Sequence, residues 1–211
     1  MGNLNKQMEK FDKKLFHSII NKELINSNYI ATHQDRFIYI INVINKYYKK
    51  YNNNIRILDF GSHTGIIAVI LQYYGYNITS IDLDLVIEDN IQNYTNNNLK
   101  VDCLNKDWTE LPYEDNYFDS IIFSEVLEHL YESPIKILQE FYRILKPNGV
   151  LIITTPNVMK LENKIKFFFH INIYQDIRRY CYDPRYGLHY REYTEKDLKI
   201  LLTKFLNFSY L

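Results

Sequence analysis

Apolar and polar positions alternate along the chain in blocks whose period changes from helix to strand and back. Near the N-terminus, Leu4, Met8, Phe11 and Leu15, and then Phe37, Ile40, Ile41 and Ile44, recur at helical spacing and predict two helices within residues 1–50. Asn52, Asn53 and Asn54 form a polar break. Arg56 to Phe60 then reads as a short buried strand, running into Gly61. Gly65 opens an apolar helical run (Ile66, Ile67, Val69, Ile70, Leu71) that stops at Gly75. Further strands are predicted over Tyr76 to Ile81 and Leu99 to Leu104, a fourth ending at Ser124, and a fifth running from Val150 towards Thr154. Strands alternating with helices predict an α/β protein with a doubly wound, mostly parallel, Rossmann-like sheet and helices on both faces. Ligands of such sheets bind at the carboxyl ends of the strands.

The first strand and its turn carry the most chemistry. A helix N-terminus presents unpaired N–H groups and partial positive charge. Glycines at Gly61 and Gly65 allow an anionic ligand close to that backbone. Asp82, at the end of the next apolar run, is placed to accept hydrogen bonds from ribose hydroxyls. A dinucleotide fold wants Gly-x-Gly-x-x-Gly after its first strand, and only Gly61 and Gly65 are present here. That spacing disfavours a nicotinamide-dependent oxidoreductase.

Asp59-Phe60-Gly61-Ser62-His63-Thr64-Gly65 resembles motif I of the class I S-adenosylmethionine-dependent methyltransferases, with His63 in place of the middle glycine. Asn105 to Tyr113, Asn116 to Leu130, and Phe141 to Leu151 leading into Thr154-Thr155-Pro156-Asn157 resemble the family's later segments, in order and in spacing. The resemblance spans about residues 55–205. It implies that Asp59, Gly61, Ser62, His63 and Gly65 form the cofactor turn, with Asp59 reaching the methionine amino group. Asp82 would hold the ribose and Asp107 the adenine amino group. The Trp108 backbone would meet the adenine edge, and Ser124 would lie close to the sulfonium. The structural alternative for Asp82 and Asp107 is helix capping or a turn.

Glu125-Val126-Leu127-Glu128-His129 places two carboxylates and an imidazole at i, i+3 and i+4, one face of a helix if a helix begins there. With His189 further on, the set resembles the Glu-x-x-Glu-His plus distal His of small-RNA 2′-O-methyltransferases. It also resembles the Glu-x-x-Glu-His of ubiquinone-biosynthesis O-methyltransferases. The resemblance implies a divalent cation, Mg²⁺ or Mn²⁺, held by Glu125, Glu128, His129 and His189. A bound cation would lower the pKa of an acceptor hydroxyl, and a vicinal diol of a sugar or catechol could chelate it. The alternative is structural: Glu125 caps a helix and His129 bonds a nearby backbone. Without metal, His129 or His189 is the candidate general base. Thr194 to Asp197 reads as a capping box for a last helix.

Residues 158–193 are a long insertion after the fifth strand, expected to be a lid or acceptor-binding segment. Its aromatics (Phe167, Phe168, Phe169, Tyr174, Tyr180, Tyr182, Tyr186, Tyr190) and basic residues suit a sugar or phosphorylated acceptor, or else build a local core. Lids ending in His-x-Arg-Glu-Tyr resemble those of cell-envelope glycan or secondary-metabolite methyltransferases. The chain stops at Leu211, where the family's sixth strand would begin. The antiparallel C-terminal strand is therefore expected to be missing, with a truncated gene or a neighbouring subunit, as in a homodimer, accounting for the open edge.

Composition narrows the partners. The 211 residues suit a single domain, read as N-terminal helices over 1–50, a cofactor core over 55–157 and the lid over 158–193. Lys+Arg and Asp+Glu both number 25, so no basic field favours nucleic acid. Cys103 and Cys181 make neither a metal knuckle nor a disulfide framework, which suits a reduced, cytoplasmic protein. No apolar run is long enough for membrane insertion, and Lys6 breaks a myristoylation pattern after Gly2. The expectation is methyl transfer to a hydroxyl of a small acceptor. An N-methyltransferase stays open as an alternative, although Ser124-Glu125-Val126-Leu127 is not the motif that N-methylating members often carry. A catalytically idle cofactor-binding scaffold is a second alternative, motivated by His63 and the short C-terminus.

Overall fold

The computed structural model describes residues 11–20, 28–48, 54–104, 110–174, 181, 188–204 and 208–209. The chain divides into two compact units, residues 1–104 and 105–211.

In the first unit, α1 (Lys13–Ile19) and α2 (Asn28–Tyr47) precede the strands, as the periodicity predicts. Asp12 caps α1 by accepting from the Leu15 N–H. Asn42 of α2 bonds both the N–H and the carbonyl of Phe11, so the entry to α1 is pinned by a side-chain amide. α2 buries Phe37, Ile40, Ile41 and Ile44, the stripe read from the sequence. Leu4 and Met8 lie outside the described residues.

β1 (Arg56–Phe60), α3 (Ile66–Tyr73), β2 (Asn77–Leu83), α4 (Asp84–Asn96) and β3 (Val101–Leu104) follow. β1 pairs in parallel with β2, and β2 with β3. Ile57, Leu58, Phe60 and Ile81 are all but fully buried, the near-continuous apolar run of a parallel strand. β2 runs two residues further than predicted, so Asp82 is its penultimate residue. β3 begins at Val101 rather than Leu99, because Leu99 closes the α4 turn by donating to the Tyr94 carbonyl.

The second unit holds β4 (Phe118–Ser124), α5 (Ile135–Ile144), β5 (Leu145–Thr154), α6 (Leu161–Phe168) and α7 (Glu195–Lys204). β4 and β5 are parallel. α5 buries Ile137, Leu138, Phe141 and Ile144 at helical spacing. Arg143 donates to Glu140, to Asp115 and to the carbonyls of Leu111 and Tyr113, fastening the segment ahead of β4. Thr194 and Asp197 form the predicted capping box: Thr194 N–H and Oγ1 donate to the carboxylate, and Asp197 N–H donates back to Oγ1.

The insertion contains α6, whose burial is inverted. Leu161, Ile165 and Phe168 are exposed, and Asn163 is its one buried residue, donating to the Val158 carbonyl. Phe167, Phe169 and Tyr174 are exposed as well, so the described aromatics of this segment do not build a local core; only Tyr193, at its end, is buried. Tyr180, Tyr182 and Tyr186 lie outside the described residues. Among the described residues no strand follows β5, apart from a single parallel bridge between Asn157 and Tyr193. No described helix is long and apolar enough to cross a membrane.

Candidate active site

In the first unit the carboxyl ends of β1 and β2 hold two buried acids. Asp59 is 2% exposed and Asp82 8%. Burial, reinforced by the charge of Asp82, pushes Asp59 up to about 7. Its Oδ2 meets no hydrogen-bond partner among the described residues. Burial also raises Asp82, opposed by two backbone donors: His63 N–H on Oδ2 at 2.7 Å and Leu83 N–H on Oδ1 at 2.7 Å. Asp82 thus braces the glycine turn from the neighbouring strand, besides being available to a ligand.

The turn itself is left-handed at three points: Gly61 at φ 75°, His63 at 47° and Gly65 at 71°. His63 is a non-glycine residue in the left-handed region, at a cost of about 1–2 kcal/mol. The bond to Asp82 supports it there. Gly65 admits no side chain, since a Cβ would meet the Tyr94 ring at 2.9 Å. Tyr94 is also the clasp of the turn. Its hydroxyl donates to the His63 carbonyl at 2.8 Å and so accepts from Ser62 Oγ at 2.7 Å. Asn93 donates to the Thr64 carbonyl.

From α2 a second group approaches this turn. Tyr29, His33 and Arg36 stand at i, i+4 and i+7, one helix face. The Tyr29 ring lies 4.9 Å from His63 and 4.7 Å from His33, centroid to centroid. Arg36 reaches the Tyr29 hydroxyl and His33 Nδ1, both at 3.4 Å. Neither this cluster nor Tyr94 was singled out in the sequence. A spacing of i, i+4, i+7 in polar aromatics and Arg is the signal that could have found the first.

Asp107 and Trp108 lie outside the described residues.

In the second unit Ser124 ends β4. Its hydroxyl donates to Thr154 Oγ1 at 2.8 Å, and Thr154 in turn donates to Glu125 Oε1 at 3.0 Å. Glu125 does not start a helix. It has φ 55°, and the helical turn that follows is a single 3₁₀ turn, Leu127–His129. The one-face reading of Glu125, Glu128 and His129 is corrected accordingly. Among the described residues the carboxylate and imidazole groups within 4.8 Å of one another are Glu128, His129 and His189, without Glu125.

These three are fixed by bonds to a distant segment. Tyr190 N–H donates to the Glu128 carbonyl at 2.8 Å, and Thr155 Oγ1 donates to Glu128 Oε2 at 2.9 Å. His129 Nδ1–H donates to the Leu188 carbonyl at 2.8 Å, and His189 Nδ1–H to Glu192 Oε1 at 3.1 Å. In their neutral forms both imidazoles would then carry the lone pair on Nε2, the arrangement in which a histidine can ligate a metal. Glu128 is 1% exposed. Burial pushes it up to about 7, against backbone and Thr155 hydrogen bonds and the His189 charge, with Glu125 pushing the same way as burial. A buried carboxylate with two imidazoles is a donor set that fits Mn²⁺ or Fe²⁺ better than Mg²⁺, which takes oxygen ligands.

An acidic glycine turn on parallel strands defines a nucleotide-cofactor-binding α/β protein of Rossmann type. Residues 58–153 match the model of a methyltransferase domain. The ubiquinone biosynthesis O-methyltransferase of Rickettsia bellii (strain OSU 85-389) is 35% identical over 162 residues, 76% of this chain and 66% of the relative. That of Rickettsia prowazekii (strain Madrid E) is 35% identical over 167 residues, 76% of this chain and 63% of the relative. The chain thus spans slightly under two thirds of the length of these relatives. A SAM-dependent methyltransferase structure from Archaeoglobus fulgidus has the same fold, at a TM-score of 0.58 and 20% identity, covering 85% of this chain and 74% of that one. One from Aquifex aeolicus does so at 0.53 and 18%, covering 92% and 88%. Residues 58–153 are a methyltransferase domain, on the fold of the class I S-adenosylmethionine-dependent methyltransferases.

Proposed function

We propose that the protein transfers a methyl group from S-adenosylmethionine to one hydroxyl of a small acceptor bearing neighbouring hydroxyls, assisted by a divalent cation at Glu128, His129 and His189. The observation that carries the reading is the pair of imidazoles, each with Nδ1 committed to an acceptor, beside a buried carboxylate. The Rickettsia relatives are named for ubiquinone biosynthesis, and a quinone derives from a hydroxylated aromatic ring. That supports a catechol-like acceptor ahead of a sugar diol. Small acceptors of either kind suit a chain with no net charge better than nucleic acid does.

For the cofactor, Asp82 takes the ribose hydroxyls. Asp59, with its unpartnered Oδ2, takes the methionine amino group. Gly61, Ser62, His63 and Gly65 offer backbone to the methionine end. Arg36, beside that turn on α2, offers a planar fork to its carboxylate. The cofactor supplies an electrophilic methyl on a sulfonium. Glu128, His129 and His189 would hold a divalent cation, which would supply Lewis acidity to lower the pKa of an acceptor hydroxyl oxygen. Glu128 and the two histidines orient that oxygen, and alignment with exclusion of water accounts for the rate. The role of Ser124 at the sulfonium is part of the same proposal.

The test is calorimetric titration of S-adenosylhomocysteine and of Mn²⁺, followed by an assay for S-adenosylhomocysteine formation with catechol. Micromolar cofactor binding and Mn²⁺-dependent turnover support the proposal. Cofactor binding with no turnover on any diol, with or without metal, would leave the idle-scaffold reading in its place.

A further inference from the structure

Two exposed tyrosines flank the Glu128–His129–His189 cluster. Tyr131 lies two residues after His129 and is 77% exposed; Tyr190 follows His189 and is 53% exposed. Their ring centroids are 6.2 Å apart and the planes are inclined at 60°. Neither position is accidental to the cluster. The Tyr190 N–H is bonded to the Glu128 carbonyl at 2.8 Å, and the Leu188 carbonyl holds His129. On the other side, Leu130 N–H closes the 3₁₀ turn on the Leu127 carbonyl, immediately before Tyr131. The backbone that fixes the metal-ligating groups therefore also fixes where both rings emerge. The two imidazoles meet edge to face, with centroids 5.1 Å apart and planes inclined at 68°.

We propose that Tyr131 and Tyr190 form an aromatic wedge that selects a flat ring for the acceptor position and discriminates against a puckered one. The inference rests on reading the cluster as the acceptor site, and it names residues that reading does not contain. Ring pairs are favourable at centroid distances of 4.5–7 Å in offset or edge-to-face arrangements. Two rings inclined at 60° present one face and one edge to a third ring entering the wedge, so a planar acceptor gains contact with both. A puckered diol with the same two oxygens can reach the cluster but cannot lie against both rings at once. The phenol groups need not take part: Tyr190 is fixed through its backbone N–H and its ring is the part left outside.

The experiment compares equilibrium binding of catechol and of cis-1,2-cyclohexanediol, two ring diols that differ in planarity, in the presence of S-adenosylhomocysteine and Mn²⁺. Catechol is the more acidic chelator, so the quantity read is the change in preference between proteins, not the preference itself. In Tyr131→Ala/Tyr190→Ala the preference for catechol should fall by about ten-fold relative to the unaltered protein. Tyr131→Phe/Tyr190→Phe should keep it, because the ring and not the hydroxyl makes the contact. Mn²⁺ affinity should be the same in all three proteins. A preference unchanged by removal of both rings would overturn the wedge, as would a loss that the Phe variant shares. If Mn²⁺ does not bind the unaltered protein, the metal reading fails, and the same comparison without metal still decides. A ring-dependent catechol preference then supports the wedge, and its absence overturns it.

Discussion

The two units each carry a carboxylate pushed up to about 7, by the same cause and with opposite provision. Asp59, in the first unit, is raised by burial and by a second acid, Asp82. It has an oxygen with no partner among the described residues. Glu128, in the second, is raised by burial and by Glu125, but a threonine hydroxyl and a histidine charge pull it back. Under the proposed function the first acid would meet a ligand that brings its own donors and positive charge, as an amino group does. The second, with its neighbours already in place, would meet an ion whose ligands are assembled beforehand. Burial cost alone says that a site is poised; what surrounds the carboxylate says for what.

Four measurements would break or sharpen that contrast. The largest effect is expected from Asp82→Ala, which removes the acceptor of both the His63 and Leu83 N–H groups along with the carboxylate proposed for the ribose. S-adenosylhomocysteine affinity should fall by about a hundred-fold or more, while Mn²⁺ affinity is unchanged. Undiminished cofactor affinity would overturn the ribose assignment. Glu128→Ala should do the reverse: cofactor binding is spared, metal-dependent turnover stops, and Mn²⁺ affinity drops by about a hundred-fold. Equal loss of both affinities would show that the two provisions are not separate. Glu192→Gln removes only the charge that orients His189 through Nδ1. A loss of about ten-fold in Mn²⁺ affinity is expected there, with S-adenosylhomocysteine affinity intact.

The smallest effect tests the first unit by itself. Asp59 has a folded pKa above its unfolded value, so the stability it contributes is complete below about pH 4. It is lost as the pH rises through about 7, where a buried charge must form. Asp59→Asn should therefore raise the melting temperature of the cofactor-free protein by a few degrees at pH 8 and by clearly less at pH 5. An equal shift at both pH values would mean that the carboxylate is not neutral in the folded state at acid pH.

Where the chain's own periodicity decides structure, the sequence was legible. β1 runs from Arg56 to Phe60 as read, because the apolar residues Ile57, Leu58 and Phe60 lead straight into a glycine turn. The last helix begins after Thr194 because its capping box is local chemistry. Glu125 to His129 misled for the converse reason. Spacing of i, i+3, i+4 has meaning only on a helix, and the left-handed backbone of Glu125 takes it off that face. The contacts that then assemble the cluster come from residues 155 and 188–190, about 30 to 60 positions away, which no local window contains. Tyr94 was invisible in the same way: as the clasp of the glycine turn it is one of 20 tyrosines, distinguished only by what it reaches across from α4. In the insertion, the aromatic and basic pattern did not reveal that the apolar side of α6 faces outward.

The partnerless oxygen of Asp59 also sets an accounting of protons. At neutral pH the empty turn keeps its acid neutral about half of the time, since its pKa is about 7. A ligand that presents an ammonium group there must find a carboxylate, so loading expels the stored hydrogen ion into solution. If Asp59 receives the cofactor's amino group as proposed, cofactor capture would be an exchange of one cation for another. Its apparent heat should change with the ionisation enthalpy of the buffer, and its affinity should decline as the medium is made more acid.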